Sequence, residues 1–226
     1  SEINERYQLH LSVICPVRNL EKAIRIFGPS PACIRFEQMP LNAISTATVG
    51  PDIDFIIHFA APTASRYFVD HPVETFRTIV DATENLLEYA RTLTRLQGFV
   101  YVSSLEVYGS ILDDSVPVTE NMQGYLDPLD VRSSYPMAKR AAECLCRLYA
   151  AQHALPVTIA RLTQTLGAGI APTDLRVFAQ FARCAATSTD IILHTEGTSA
   201  RPYCYTTDAI SALFHILLKG SSGSAY

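Results

Sequence analysis

The sequence predicts an α/β fold built around a doubly wound parallel sheet. Short apolar runs alternate with segments of helical period along most of the 226 residues, some of these runs are apolar throughout, and 48% of the residues are hydrophobic. Alternating strands and helices join parallel strands through crossover helices. A run that is apolar at every position suits a strand covered on both faces, and a chain of this length can bury a sizeable core.

Residues 9–17 form the first apolar, β-rich run, which stops at the polar Arg18 and Asn19 and leads into a short helix over Leu20–Phe27. Residues 55–59 are a continuous apolar strand. Residues 73–95 then set Phe76, Ile79, Val80, Leu86, Leu87, Ala90 and Leu93 on one helical stripe. The next strand spans residues 98–103 and the next long helix 135–153. Pro156 precedes a strand over Val157–Leu162, and residues 175–186 and 208–218 read as two further helices. The polar connection over residues 113–131, with Pro117, Gly124 and Pro128, is the kind of loop that carries function on such a scaffold.

Composition narrows the function. Eighteen Lys and Arg stand against 22 Asp and Glu, for a net charge of −4 with no basic run. A nucleic-acid footprint needs a clustered positive face, so small molecules are the expected partners. The longest apolar stretches fall far short of the ~20 residues of a membrane span, and residues 1–6 lack the apolar segment of a signal peptide. Cys15, Cys33, Cys144, Cys146, Cys184 and Cys204 contain no C-x-x-C pair and no zinc-ligand spacing, so they read as free core thiols in a reducing cytoplasm. The 10 glycines are fewer than the ~7% usual for a soluble chain.

Tyr135 and Lys139 lie four apart at the start of a predicted helix, so both side chains leave one face. A lysine beside a phenol favours the phenolate and lowers its pKa, which makes Tyr135 a candidate acid and base. Strand ends at Ser103-Ser104 and at His58 would converge with it, because ligands of doubly wound folds bind at the carboxyl ends of strands. His58 itself ends a buried strand and is expected to be a core histidine held by a backbone partner. Cys144 and Cys146, two apart on a helix, face different ways.

The stretches DFIIHFAA (54–61), SSLEVYG (103–109), SYPMAKRAAE (134–143), ARLTQTLG (160–167) and RPYCYTTD (201–208) together resemble the extended short-chain dehydrogenase/reductase family of nucleotide-sugar epimerases, dehydratases and decarboxylases. The resemblance covers roughly residues 8–226, and the stretch 58–143 is most similar to the UDP-glucuronate decarboxylases. It implies a Rossmann-like dinucleotide-binding domain over residues 1–165 and part of a substrate-binding region over 166–226. It also implies catalytic roles for Ser104, Glu106, Tyr135 and Lys139, with Lys139 and Tyr135 also contacting the nicotinamide end of NAD or NADP. Phe59, Ala60 and Ala61 would line the cofactor, while Ser104, Gln164 and Arg201 would hold the substrate, Arg201 at its diphosphate. Homodimerisation through the two long helices is a further implication.

Several departures shape what is expected. Leu105 stands where dTDP-glucose dehydratases have an aspartate, Gln164 where relatives have an asparagine, and Ile79 where many have an asparagine. Before residue 98 only Gly28 and Gly50 occur, so the family's G-x-x-G-x-x-G turn is absent, and residues 9–17 align with its second strand. Residues 221–226 resemble the start of a further strand. These features suggest that the 226 residues are not the whole enzyme. Arg18, just after the 9–17 strand, suits the 2′-phosphate of NADP. The leading reading is an enzyme that passes a nucleotide-activated sugar through a transient 4-keto form, favouring dehydration or decarboxylation because of Glu106. A 4-epimerase, an NADPH-dependent carbonyl reductase and a non-catalytic binding protein remain alternatives.

Overall fold

The computed structural model describes residues 2–28, 33–62, 65–111, 116–171, 173–193, 196–197 and 200–226. In chain order it runs α1 (Glu2–Tyr7), β1 (Val13–Val17), α2 (Leu20–Phe27), β2 (Ile34–Gln38), β3 (Phe55–His58), α3 (Ser65–Asp70), α4 (Pro72–Arg91) and β4 (Gly98–Ser104). It continues with α5 (Ser134–His153), β5 (Val157–Leu162), β6 (Gln164–Leu166), α6 (Val177–Thr187), β7 (Tyr203–Tyr205) and α7 (Thr206–Lys219). Every pair of named strands runs parallel, as the alternation predicts.

The ladder is divided into β1-β2, β3-β4-β5 and β6-β7, whereas the sequence suggested one continuous sheet. β4 is the central strand, pairing Phe55 of β3 with Gly98 and Val157 of β5 with Phe99. Its alternate residues serve two cores, as the period of 2 requires. Phe99 and Tyr101 join Leu87, Ala90, Ala138 and Cys146 of α4 and α5, while Val100 and Val102 meet Leu213 of α7 on the other face. Gly98 lets α7 approach closely, since a Cβ there would stand 2.8 Å from the Leu217 carbonyl oxygen.

Local chemistry sets the helix ends. The Asn19 side chain caps α2 by accepting from the Lys22 N–H at 2.7 Å. Pro72 opens α4 at a position where its missing N–H costs no helix bond. The long helices begin and end within a few residues of the predicted bounds, and α4 stops at Arg91 rather than reaching 95. β2 was not anticipated, because its IRFEQ sequence mixes charge into a half-buried strand.

Toward the end of the chain, Ile159 donates to the Ser224 carbonyl and accepts from the Tyr226 N–H, both at 3.0 Å, so residues 224–226 run alongside β5 as the start of a strand. In the connection over 113–131, residues 113–115 lie outside the described residues, and so do 29–32 of the segment before Gly50. Ser110 and Tyr125 bridge the base of that connection. Among the described residues no helix is long and apolar enough to cross a membrane.

Candidate active site

The site forms where β4 ends and α5 begins. After β4 the chain tightens into a 3-10 turn, Leu105–Tyr108, in which the Ser104 Oγ accepts from the Glu106 N–H at 3.2 Å. Gly109 closes that turn at φ +68°, where a Cβ would stand 2.5 Å from the Tyr125 carbonyl oxygen. Tyr108 and Gly109 are thus turn residues. Opposite, the Asp130 carboxylate accepts from the Arg132 N–H at 2.9 Å and starts a second 3-10 turn, Val131–Ser133, which runs directly into α5.

Tyr135, the second residue of α5, is buried, and its ring stacks on Phe68 of α3 with centroids 4.2 Å apart and planes within 5°. The Arg132 guanidinium lies over the same Phe68 ring at 5.2 Å and donates to the Glu106 carboxylate at 2.9 Å. Ser104, Glu106, Arg132 and Tyr135 therefore make one cluster. Burial holds the Tyr135 hydroxyl above its ordinary pKa; hydrogen bonding with Ser104 draws it down, Glu106 pushes it up and Arg132 pulls it down again.

This corrects one expectation. Lys139 is engaged elsewhere: its Nζ donates to the Val102 carbonyl at 2.8 Å and sits 5.9 Å from the Tyr135 ring centroid, and its charge is not among the influences on the Tyr135 hydroxyl. The cation lowering the Tyr135 pKa is Arg132. Burial in turn lowers the Lys139 pKa to about 8, against an opposing pull from Glu143.

Glu143, one turn beyond Lys139, anchors the helix to both strand ends. It accepts from the Ser103 hydroxyl at 2.5 Å and from Arg161 of β5 at 2.8 Å in a forked pair, with both side chains largely buried. A forked, desolvated Arg–carboxylate pair fixes orientation as well as contact. His58 is the core histidine expected, although its partner is the Thr83 side chain at 3.1 Å rather than backbone. Burial, helped by the Lys139 charge, lowers its pKa to about 3. Cys144 is exposed and Cys146 buried, facing different ways as expected.

The other predicted residues lie on neighbouring elements. Phe59 and Ala60 are exposed and Ala61 half-buried just beyond β3. Arg18 follows β1 and, with Gln38, Met39 and Pro40, lines a cavity of about 420 Å³ at the carboxyl ends of β1 and β2. Gln164 opens β6 and pairs with Tyr203 of β7, while Arg201 is exposed two residues before Tyr203. Ser104, Glu106, Tyr135 and Lys139 are thus brought to one place, and Arg18, Gln164 and Arg201 sit on the flanking two-stranded sheets. Arg132 and Phe68 escaped the sequence reading, while Ser103 entered it as a strand end and Glu143 and Arg161 only within the quoted stretches. Only Arg132, three residues before Tyr135, and Glu143, four after Lys139, carried a spacing signal.

The chemistry of the two ends suits the two ends of a dinucleotide. The Arg18 cavity offers a cation and an amide to a nucleoside, and the Tyr135–Lys139 end offers a phenol and a buried amine at a strand terminus. Between them, the described residues contain no glycine-rich turn.

The chain is 32% identical over 172 residues to UDP-glucuronic acid decarboxylase 6 of Arabidopsis thaliana, covering 76% of this chain and 49% of that protein. It therefore spans about half the length of the curated relatives it matches. A dTDP-glucose 4,6-dehydratase from Bacillus anthracis in complex with NAD has the same fold with a TM-score of 0.77 at 22% identity, over 99% of this chain and 68% of that one. A UDP-glucuronic acid 4-epimerase from Bacillus cereus, in complex with UDP-glucuronic acid and NAD, aligns with a TM-score of 0.71 at 21% identity, over 90% and 61%. Residues 23–226 match the NAD dependent epimerase/dehydratase family, and the chain belongs to that family.

Proposed function

We propose that this chain carries the catalytic part of an enzyme that converts a nucleotide-activated sugar through a transient 4-keto form with NAD or NADP, and that the reaction is decarboxylation of a nucleotide uronate. The observation carrying this reading is the cluster of Ser104, Tyr135 and the Glu106–Arg132 ion pair at the end of β4. Glu106 is already engaged by a guanidinium. That suits a site which need not use a free carboxylate to remove a C5 proton, as dehydration would require.

Each residue has a distinct task. Ser104, oriented by the Glu106 N–H, holds the sugar hydroxyl against the phenol. Tyr135, in its phenolate form, takes that hydroxyl proton as its carbon becomes a ketone, and returns it at the end. Stacking on Phe68 and burial keep its oxygen in one place, so little orientational freedom is lost at the moment of reaction. Lys139, tied to the Val102 carbonyl, presents a cationic amine near the ribose of the nicotinamide half. When bound, the nicotinamide supplies the hydride acceptor and donor. Once C4 is a ketone, the C5–carboxylate bond breaks, its electron pair passes into the C4–C5 enolate, CO2 leaves and C5 takes up a proton. Arg18 would hold the nucleoside end, with NADP favoured by its charge, while Gln164 and Arg201 would contact the substrate.

Homodimerisation through α4 and α5 belongs to the same reading, supported by exposed Val73, Phe76 and Leu148 on those helices. The functional test is incubation of the full-length protein and NAD or NADP with UDP-glucuronic acid, UDP-glucose and dTDP-glucose. Release of CO2 with formation of a UDP-pentose is the expected result. Reduction of a simple carbonyl compound by NADPH, with no nucleotide sugar turned over, would establish the reductase instead.

A further inference from the structure

We propose that Arg132 is a specificity-determining residue: by neutralising Glu106 beside the Tyr135 hydroxyl, it lets the site accept a sugar that carries a carboxylate on the carbon next to the one being oxidised. This inference rests on the function proposed above and assigns the choice of substrate charge to one ion pair.

The geometry is specific to the place where that choice must be made. The function proposed above has Ser104 and Tyr135 hold the reacting hydroxyl, and Glu106 lies in the turn that begins at Ser104, so a substituent on the neighbouring sugar carbon would lie toward Glu106. A bare carboxylate there repels a uronate and favours a neutral hexose. In this structure the carboxylate is not bare, because the Arg132 Nη2 stands 2.9 Å from the Glu106 Oε2.

Arg132 is also held in place from three sides. Its backbone N–H is capped by Asp130, its guanidinium lies 5.2 Å over Phe68, and the Glu106 carboxylate takes its end. The contact over Phe68 adds an attraction between cation and ring that a neutral side chain would forfeit. The pair remains about one-third exposed, with side-chain accessibilities of 38% and 33%, so an incoming ligand can reach it. Anionic and neutral sugars of the same size are thus separated by the presence of one cation.

The test measures equilibrium binding of UDP-glucuronic acid and of UDP-glucose to the full-length protein with NAD, in the natural form and as Arg132→Gln, Arg132→Lys and the double variant Arg132→Gln with Glu106→Gln. Arg132→Gln should weaken UDP-glucuronic acid about 10-fold more than UDP-glucose, which corresponds to about 1.4 kcal/mol. Arg132→Lys should keep most of the preference, and the double variant should recover most of the lost uronate affinity, because the repelling carboxylate is gone as well. Equal weakening of both ligands by Arg132→Gln overturns the proposal, and so does a double variant no better than the single one. If the natural protein binds neither nucleotide sugar, the functional reading fails first and this inference falls with it. Thermal melts of all four proteins show whether any loss comes from misfolding.

Discussion

The β3-β4-β5 sheet and the β1-β2 sheet follow the same parallel logic yet are buried very differently. Six of the seven β4 residues are buried, whereas every residue of β1 is exposed or half-buried. The difference follows from their cover: α4 and α5 close one face of β4 and α7 the other. The residues proposed for the chemical step stand at the end of the well-covered sheet, where a fixed setting strengthens electrostatic effects. Arg18 stands on the open one. Burial is therefore concentrated around the residues proposed for the chemistry, and the end proposed for the nucleoside is left accessible.

The largest test of this contrast is Tyr135→Phe, which removes one oxygen from the covered region without disturbing its packing. Turnover of UDP-glucuronic acid should fall by about 10³-fold, within the usual range for loss of a positioned acid and base, while ligand binding and the melting temperature stay close to the original. Unchanged turnover would remove Tyr135 from the chemistry.

Paired truncations address packing directly. Phe99→Ala, in the centre of β4, should cost about 3–5 kcal/mol in urea unfolding, since it leaves a cavity in a closed core. Val13→Ala, on the exposed β1, should cost under about 1 kcal/mol. Similar costs at the two sites would mean that β1 is as well covered in solution as β4.

A third test uses pH. With its pKa lowered to about 3, His58 stays neutral in the folded protein under conditions where the unfolded chain, near 6.5, takes up a proton. Folding stability should therefore decline as pH falls from about 6.5 toward 3, by about 2 kcal/mol at pH 5 from this group alone. His58→Gln should flatten that part of the urea-unfolding profile, and a profile of unchanged slope would place the acid sensitivity elsewhere. The smallest effect is expected on the open sheet. Arg18→Ala should weaken NADPH about 10-fold relative to NADH, with little change in stability, and equal loss of both would deny Arg18 a 2′-phosphate role.

The sequence carried the strand–helix alternation because β4 is apolar along its length and α4 and α5 hold a 3.6-residue stripe that burial then uses. It carried Tyr135 and Lys139 because four residues is one helical turn. It could not carry what joins segments far apart in the chain. Phe68 meets Tyr135 across 67 positions, Arg132 meets Glu106 across 26, and Thr83 rather than a backbone group satisfies His58. The reading of Lys139 as the source of phenol acidity failed for a related reason. Spacing places the amine on the correct face, but the Val102 carbonyl, supplied by another element, accepts its hydrogen bond. β2 was obscured by its own charges, which a half-buried strand with open neighbours tolerates.

The stacking of Tyr135 on Phe68 has an optical consequence. The chain contains no tryptophan, so its near-ultraviolet circular dichroism arises mainly from 11 tyrosines, several of them solvent-exposed. Rings free to rotate contribute little to that band, and rings locked in asymmetric surroundings contribute most. The phenol at the centre of the proposed chemistry is one of those locked rings. Its order can therefore be followed by comparing this signal with that of Tyr135→Phe, with no label attached and no substrate present.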